Sequence, residues 1–211
     1  MIPTKEEWVN ALNDRHGIEF QEKISSAIVA VCGLGGLGSN IAIALARAGI
    51  GKLILIDFDK VDITNLHRQQ YKANQIGMSK TEALLDNLKE INPYLKTEIH
   101  NVYLNKNNAK DILSEADIVC EAFDNAEAKA DIVNFVLFEL PEKYIVAASG
   151  MAGLDSANAI KTRKVSKRFY LCGDEVSDVS QGVGLVSSRV MLCAAHQAHT
   201  VLRIIANEFE V

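Results

Sequence analysis

The chain has 211 residues, 48% of them hydrophobic, which is enough to bury one large core. Its 22 basic and 27 acidic residues give a net charge of −5, which argues against a general nucleic-acid binder while leaving room for a local basic patch. No apolar run reaches membrane-spanning length, Met1 to Glu7 does not read as a signal peptide, and Cys32, Cys120, Cys172 and Cys193 are too scattered for a disulfide framework, so the expectation is a cytoplasmic protein.

Thr4 can cap a first helix that runs to about Asn13, with Glu6 and Glu7 in its first turn. Arg15-His16-Gly17 breaks it, and Ile18 to Ser26 forms a short second helix. Ile28 to Cys32 is a β-branched apolar run cut off by glycines, which suits a strand buried on both faces. Gly33-Leu34-Gly35-Gly36-Leu37-Gly38 follows, then a helix-prone segment from Asn40 to Ala48 that Gly49 can end. A second strand, Lys52 to Ile56, runs into Asp57-Phe58-Asp59. Lys60 to Tyr71 is too polar and aperiodic for a core element and reads as a functional loop. A helix from Ser79 stops at Asn92-Pro93. Lys96 to His100 is a third strand, Asn107 to Glu115 a short helix, and Asp117 to Ala122 a fourth strand ending at Phe123-Asp124-Asn125. A helix from about Glu127 to Leu140 leads to a fifth strand, Tyr144 to Ala148. Beyond Gly153 the alternation stops: Asp155 to Tyr170 reads as a strand pair or irregular ribbon, Leu171 to Gly184 as a polar loop, and Ser187 to Ala206 as a long apolar helix.

Strands alternating with helices predict an α/β, Rossmann-like fold: a mostly parallel sheet with helices on both faces and a short antiparallel C-terminal extension. The whole chain, 1–211, is expected to be one nucleotide-binding domain, with residues 1–26 a helical N-terminal segment, 27–153 the core, and 154–211 the ribbon, crossover loop and final helix. Within it, Gly33 permits a tight turn, Gly35 lets backbone N–H groups approach a phosphate, and Gly38 lets helix and strand pack closely. The helix start beyond them attracts a phosphate, and Asp57 stands where an acid reaches ribose hydroxyls. The plainer reading is a glycine turn that serves helix–sheet packing alone. Ligands of open parallel sheets bind beyond the carboxyl ends of the strands, so the glycine loop, Asp57, Asp59, the Asn65–Gln69 loop and Asp124-Asn125 are expected to converge. An unpaired carboxylate beside a triphosphate is repulsive unless Mg²⁺ lies between them, which makes Asp124 the expected metal ligand. Arg68 offers a planar fork for phosphate and Lys80 a compact charge at its helix mouth. Either one alone reads equally well as a solvated surface residue.

Taken with Leu55 to Asp59, Asn65-Leu66-His67-Arg68-Gln69, Lys80 and Asp124-Asn125, the glycine run resembles the ThiF/MoeB family of ubiquitin-activating-like adenylyltransferases. The resemblance extends from Arg15 to the final helix. The short length and the Ala147 to Gly153 segment look most like the compact ThiF branch, which serves thiamine biosynthesis. It implies adenylation of the C-terminal glycine carboxylate of a small ThiS-like sulfur-carrier protein, with Mg·ATP. By motif match Asp57 would bind the ribose, and Arg68, Lys80 and the loop of Gly33, Gly35, Gly36, Leu37 and Gly38 the phosphates. Asp59, Asn65, Gln69 and Asn125 would complete the nucleotide site, with Asp124 on Mg²⁺. Arg15 matches an arginine that the family supplies across a homodimer interface, although Arg15-His16-Gly17 departs from the usual aromatic-containing motif; the alternative is that it pins the first helix to the core.

Two further departures matter. The CxxC pairs that hold zinc in many relatives are missing, so zinc is not expected; Cys193, His196 and His199 imitate ligand spacing on one helix without having to converge. Cys172, in its expected loop, is the candidate nucleophile for the activated carrier, or equally the remnant of a lost metal ligand. The basic run Lys161 to Arg168 reads as a solvated ribbon or as a docking surface for an acidic carrier. Beside the carrier-activating reading stand an ATP-dependent dehydratase acting on a tRNA-attached modified adenosine (threonylcarbamoyladenosine), which needs a nucleic-acid surface, and an NAD-binding oxidoreductase or non-catalytic nucleotide scaffold, for which no hydride-handling residue is apparent.

Overall fold

A computed structural model describes residues 2–180 and 182–211. Met1 of the N-terminal segment and Gln181 of the expected polar loop lie outside the described residues. Helix α1 (Lys5–His16) opens with a capping box: Thr4 accepts from the Glu7 N–H while the Glu7 carboxylate accepts from the Thr4 N–H. It continues past Asn13 to Gly17, whose φ of +81° turns the chain into α2 (Ile18–Ser26). The glycine, and not the preceding Arg15-His16, ends the helix.

The frame is a seven-stranded sheet in the order β3-β2-β1-β4-β5-β7-β6. Its members are β1 (Ile28–Cys32), β2 (Lys52–Ile56), β3 (Lys96–His100), β4 (Ile118–Glu121), β5 (Tyr144–Ala148), β6 (Lys161–Ser166) and β7 (Phe169–Gly173). All pairings are parallel except β6 with β7, which is antiparallel. The α/β fold with an antiparallel extension is therefore as expected. Helices α3 (Gly36–Ala48), α4 (Lys80–Ile91) and α7 (Ser187–Ile205) cover one face, with α5 (Ala109–Ile112) and α6 (Ala126–Glu139) on the other.

The side-chain alternation of β1 divides the core. Val29 and Val31 pack with Leu45 of α3 and Val201 of α7, whereas Ala30 and Cys32 pack with Ile132 and Val136 of α6. Truncating a fully buried side chain here, such as Leu45, costs about 2–5 kcal/mol. One expectation is corrected at β7: Leu171-Cys172-Gly173 belongs to this strand and not to a polar loop. Tyr170 and Cys172 point into the core, and Cys172 pairs in register with Ala148 of β5.

The order of the strands places the site. From β1 the chain moves outward to β2 and β3, then returns to β4 on the other side of β1. Between the carboxyl ends of β1 and β4 the crossovers diverge, which opens a crevice there.

Candidate active site

Gly33 leaves β1 with φ of +91°, and a Cβ there would stand 2.8 Å from the Ala122 carbonyl oxygen at the end of β4. A Cβ on Gly38 would lie 1.8 Å from the Gly33 carbonyl oxygen, so this glycine presses helix α3 onto the turn and does not line the crevice. A Cβ on Gly35 would meet nothing nearer than Gln69 Nε2 at 3.7 Å. The crevice is a cleft of about 940 Å³, at the upper end of the usual size for a small-molecule site. It brings together Gly33, Gly35, Gly36, Leu37, Asp57, Asp59, Asn65, Arg68, Gln69, Lys80, Asp124 and Asn125.

At its floor, each Asp57 oxygen accepts one backbone N–H: Oδ2 from Leu34 at 2.6 Å and Oδ1 from Asp59 at 2.8 Å. A carboxylate has about four acceptor positions, so two remain for a ligand hydroxyl. Burial raises the Asp57 pKa, against the opposing pull of the Lys80 charge. Lys80 opens α4 behind the Ser79 cap; its Nζ lies 2.7 Å from Asp59 Oδ2 and 3.9 Å from Asp57 Oδ2, with only 8% of its side chain exposed. The ammonium is thus fixed at the cleft by two carboxylates. Above it, Asp62 caps the turn Ile63–Asn65, and Asn65 Oδ1 returns the bond by accepting from the Asp62 N–H. Arg68 donates from Nη1 to the Thr64 carbonyl at 3.1 Å, while its Nε is buried with no partner among the described residues. Gln69 Oε1 is likewise buried and unpartnered. A buried polar atom without a partner is costly, and two of them at one cleft wall fit a polar ligand. Asp124 is exposed and lines the opposite wall; Asn125 caps α6 by accepting from the Ala128 N–H.

Arg15 lies apart from this set. It is exposed in the last turn of α1 and does not line the cleft. The Cys172 expectation is corrected: the thiol is fully buried in β7, 3.5 Å from Thr162 Oγ1, and burial raises its pKa. A nucleophilic cysteine needs exposure and thiolate character, and Cys172 has neither. Cys193 donates to the Cys172 carbonyl and His196 Nδ1 meets Thr162 Oγ1 at 3.0 Å. Among the described residues, no three His, Cys, Asp or Glu side chains gather as a metal site.

Several lining groups escaped the sequence reading. Phe58 and Tyr103 form an aromatic pair, 5.3 Å between centroids, on the β2–β3 side of the cleft. Lys129 of α6 reaches back to the fully buried Glu121, with Nζ 2.8 and 2.7 Å from its two oxygens. Burial raises the Glu121 pKa and the lysine opposes it. The available signal was an acid inside the apolar run Ile118 to Ala122, because a buried charge requires a partner. Ser177, Asp178 and Val179 close the cleft from the segment after β7. That segment is held by Asp174, which accepts from the Val176 and Ser177 N–H groups and from buried Arg189. Burial works against ionisation of Asp174, yet these donors prevail and pull its pKa down to about 2.

The chain is similar to known proteins along most of its length. The ThiF family matches residues 10–210. The adenylyltransferase and sulfurtransferase MOCS3 of Caenorhabditis briggsae is 40% identical over 119 residues, which are 56% of this chain and 30% of that protein. Ubiquitin-like modifier-activating enzyme 5 of Caenorhabditis elegans is 41% identical over 119 residues, 51% of this chain and 28% of that one. The chain thus spans under a third of the length of these curated relatives. In fold it matches E. coli tRNA N6-threonylcarbamoyladenosine dehydratase, TcdA, solved in complex with ATP, with a TM-score of 0.86, 20% identity, and coverage of 99% of this chain and 98% of that one. E. coli MccB follows with a TM-score of 0.74 at 22% identity, covering 94% and 65%. With a match that runs from residue 10 to residue 210, the chain belongs to the ThiF family.

Proposed function

We propose that the protein activates a carboxylate by adenylation: a carboxylate oxygen attacks the α-phosphorus of ATP, the bond to pyrophosphate breaks, and an acyl-adenylate forms. One observation carries this reading. Arg68 and Lys80 stand at the cleft that the glycine loop opens, with the Arg68 Nε and Gln69 Oε1 left without partners. A carboxylate is ionised at pH 7, so the reaction needs no general base. Its barrier lies in orienting two anions and in the charge of the leaving pyrophosphate, which call for fixed cations and N–H donors. Asp57 then takes the ribose hydroxyls with its free acceptor positions. The N–H groups of the glycine loop and Arg68 take the phosphates, with Lys80 beside them. Asn65 and Gln69 orient them, and Asp59 fixes Lys80. Asp124 would hold Mg²⁺, which when bound offsets the triphosphate charge. A site of one or two carboxylates completed by phosphate oxygens is how this ion is usually held, and the open position of Asp124 fits it.

The substrate in this reading is the C-terminal glycine carboxylate of a ThiS-like sulfur carrier. Support comes from the curated relatives, an adenylyltransferase and a ubiquitin-like modifier-activating enzyme. A second reading is favoured by the coverage of TcdA, 98% of that chain. A threonylcarbamoyl group also carries a carboxylate, so both readings share the activation step and differ in what bears the acid. The net charge of −5 weighs against a tRNA surface, and on the basic ribbon Arg163 and Lys164 are paired with Glu175 and Glu210.

ATP–pyrophosphate exchange decides between them. The expected result is exchange that requires a diglycine-ended carrier, is not driven by threonylcarbamoylated tRNA, and is lost in a folded Asp124→Ala variant. Exchange driven by that tRNA would establish the second reading. Tight NAD binding without ATP binding would reject both.

A further inference from the structure

The segment after Arg68 is fixed beneath the glycine loop by groups that do not line the cleft. Ser39 Oγ accepts from the Gln70 N–H at 3.1 Å and donates to the Gly35 carbonyl at 2.6 Å. Gln70 Nε2 donates to Asn40 Oδ1 at 2.7 Å. The hydroxyl of Tyr71, a buried residue, donates to the Leu34 carbonyl at 2.7 Å. Its pKa is raised by burial and by Asp57 and Asp59, so it stays a protonated donor at any physiological pH.

Leu34 is held on both sides. Its N–H donates to Asp57 Oδ2, and its carbonyl accepts a hydrogen bond from the Tyr71 hydroxyl. The chain has no cis peptide among the described residues, so the Leu34 C=O and the Gly35 N–H point in opposite directions across one planar unit. With the carbonyl turned down to Tyr71, the Gly35 N–H is turned up. Gly35 lines the cleft, Tyr71 does not, and the Gly35 N–H donates to no group among the described residues. A peptide next to glycine is otherwise free to rotate, because no Cβ restrains it.

From this geometry we propose that Tyr71 is a positioning residue, whose hydroxyl locks the Leu34–Gly35 peptide so that the Gly35 N–H faces the phosphates of ATP. Its hydrogen bond adds to those by which Gln70 ties the arginine loop to Ser39 and Asn40, and it is the one that reaches the Leu34 carbonyl. The inference rests on the ATP binding proposed above. Losing the hydroxyl leaves the Leu34 carbonyl, buried with its residue, free to turn and carry the Gly35 N–H out of alignment.

Tyr71→Phe keeps the ring and removes only the donor. ATP affinity is read by calorimetry, and adenosine affinity by NMR titration, which extends to the millimolar range. The expected result is about a tenfold loss for ATP, the size of one hydrogen bond to a charged group, with adenosine unchanged within twofold. Equal losses for both ligands would show a merely structural tyrosine and overturn the inference, as would unchanged ATP affinity. In the wild-type protein the Gly35 amide proton resonance should move with ATP and stay in place with adenosine. A Gly35 resonance indifferent to ATP overturns the inference even if the variant does not fold. A wild-type protein that binds no ATP overturns the proposed function with it, whereas ATP binding without these Gly35 and Tyr71 effects overturns the inference alone.

Discussion

Two glycines of one loop, Gly35 and Gly38, do separable work, and substitution reads them apart. Gly38 has no room for a methyl group, since its Cβ would stand 1.8 Å from the Gly33 carbonyl oxygen. Gly38→Ala should therefore lower stability by at least about 1–3 kcal/mol, measured by urea unfolding. Gly35 has room, with Gln69 Nε2 the nearest atom at 3.7 Å and no positive φ to strain. Gly35→Ala should keep the wild-type unfolding midpoint while ATP affinity falls about tenfold or more, because the methyl group takes the space a phosphate approaches. A Gly35→Ala protein as unstable as Gly38→Ala would assign both to packing. At this scale the cleft residues were legible, because the glycine spacing, Asp57 and Asp124 follow strands that end together. Tyr71 was not legible, because nothing in the order of Arg68-Gln69-Gln70-Tyr71 shows that its hydroxyl turns under the glycine loop.

The elements meet through two ion pairs, one on the fully buried Glu121 carboxylate and one, Asp174 with Arg189, buried on both sides. Glu121 ends β4 and Lys129 lies in the second turn of α6, so their bond ties the strand to the helix on either side of Asp124. Removing one partner strands a charge. Lys129→Met should cost about 3–5 kcal/mol, and adding Glu121→Gln should recover much of it, as unfolding of the double variant will measure. Independent, additive losses would mean the pair is not coupled. The second pair, Asp174 with Arg189, fixes the segment that closes the cleft. A carboxylate whose pKa falls to about 2 on folding stabilises the protein above its unfolded value near 4, and that stabilisation disappears as pH falls toward 2. Wild type should exceed Asp174→Asn by about 2 kcal/mol at pH 7, a gap that narrows below about pH 4. A gap unchanged at pH 2.5 would contradict the assignment. Leu171 to Gly173 was not legible as strand because Gly173-Asp174-Glu175 looks like a turn, whereas β5 supplies a parallel partner that draws those residues into the sheet. The alternating elements before Gly153 needed no such partner to be recognised, since period and glycine placement mark them.

At the scale of the whole molecule, Arg15 remains outside the cleft of its own chain. The family resemblance implies a role for it in the site of a second copy in a two-fold dimer, and subunit mixing tests that expectation. Arg15→Ala and Asp124→Ala should each be inactive, and their co-refolded mixture should recover roughly a quarter of wild-type activity, because half the dimers then hold one intact site. A verified mixed dimer with no recovery would return Arg15 to a packing role in α1. Bonding of a carboxylate oxygen to the α-phosphorus can be followed directly by isotope. A ThiS-like carrier labelled with ¹⁸O in its terminal carboxylate is incubated with enzyme, ATP and Mg²⁺, the adenylate is captured with hydroxylamine, and the nucleotide products are weighed by mass spectrometry. Adenylation predicts AMP that carries one ¹⁸O and pyrophosphate that carries none; release of ADP, or AMP without the label, would contradict it.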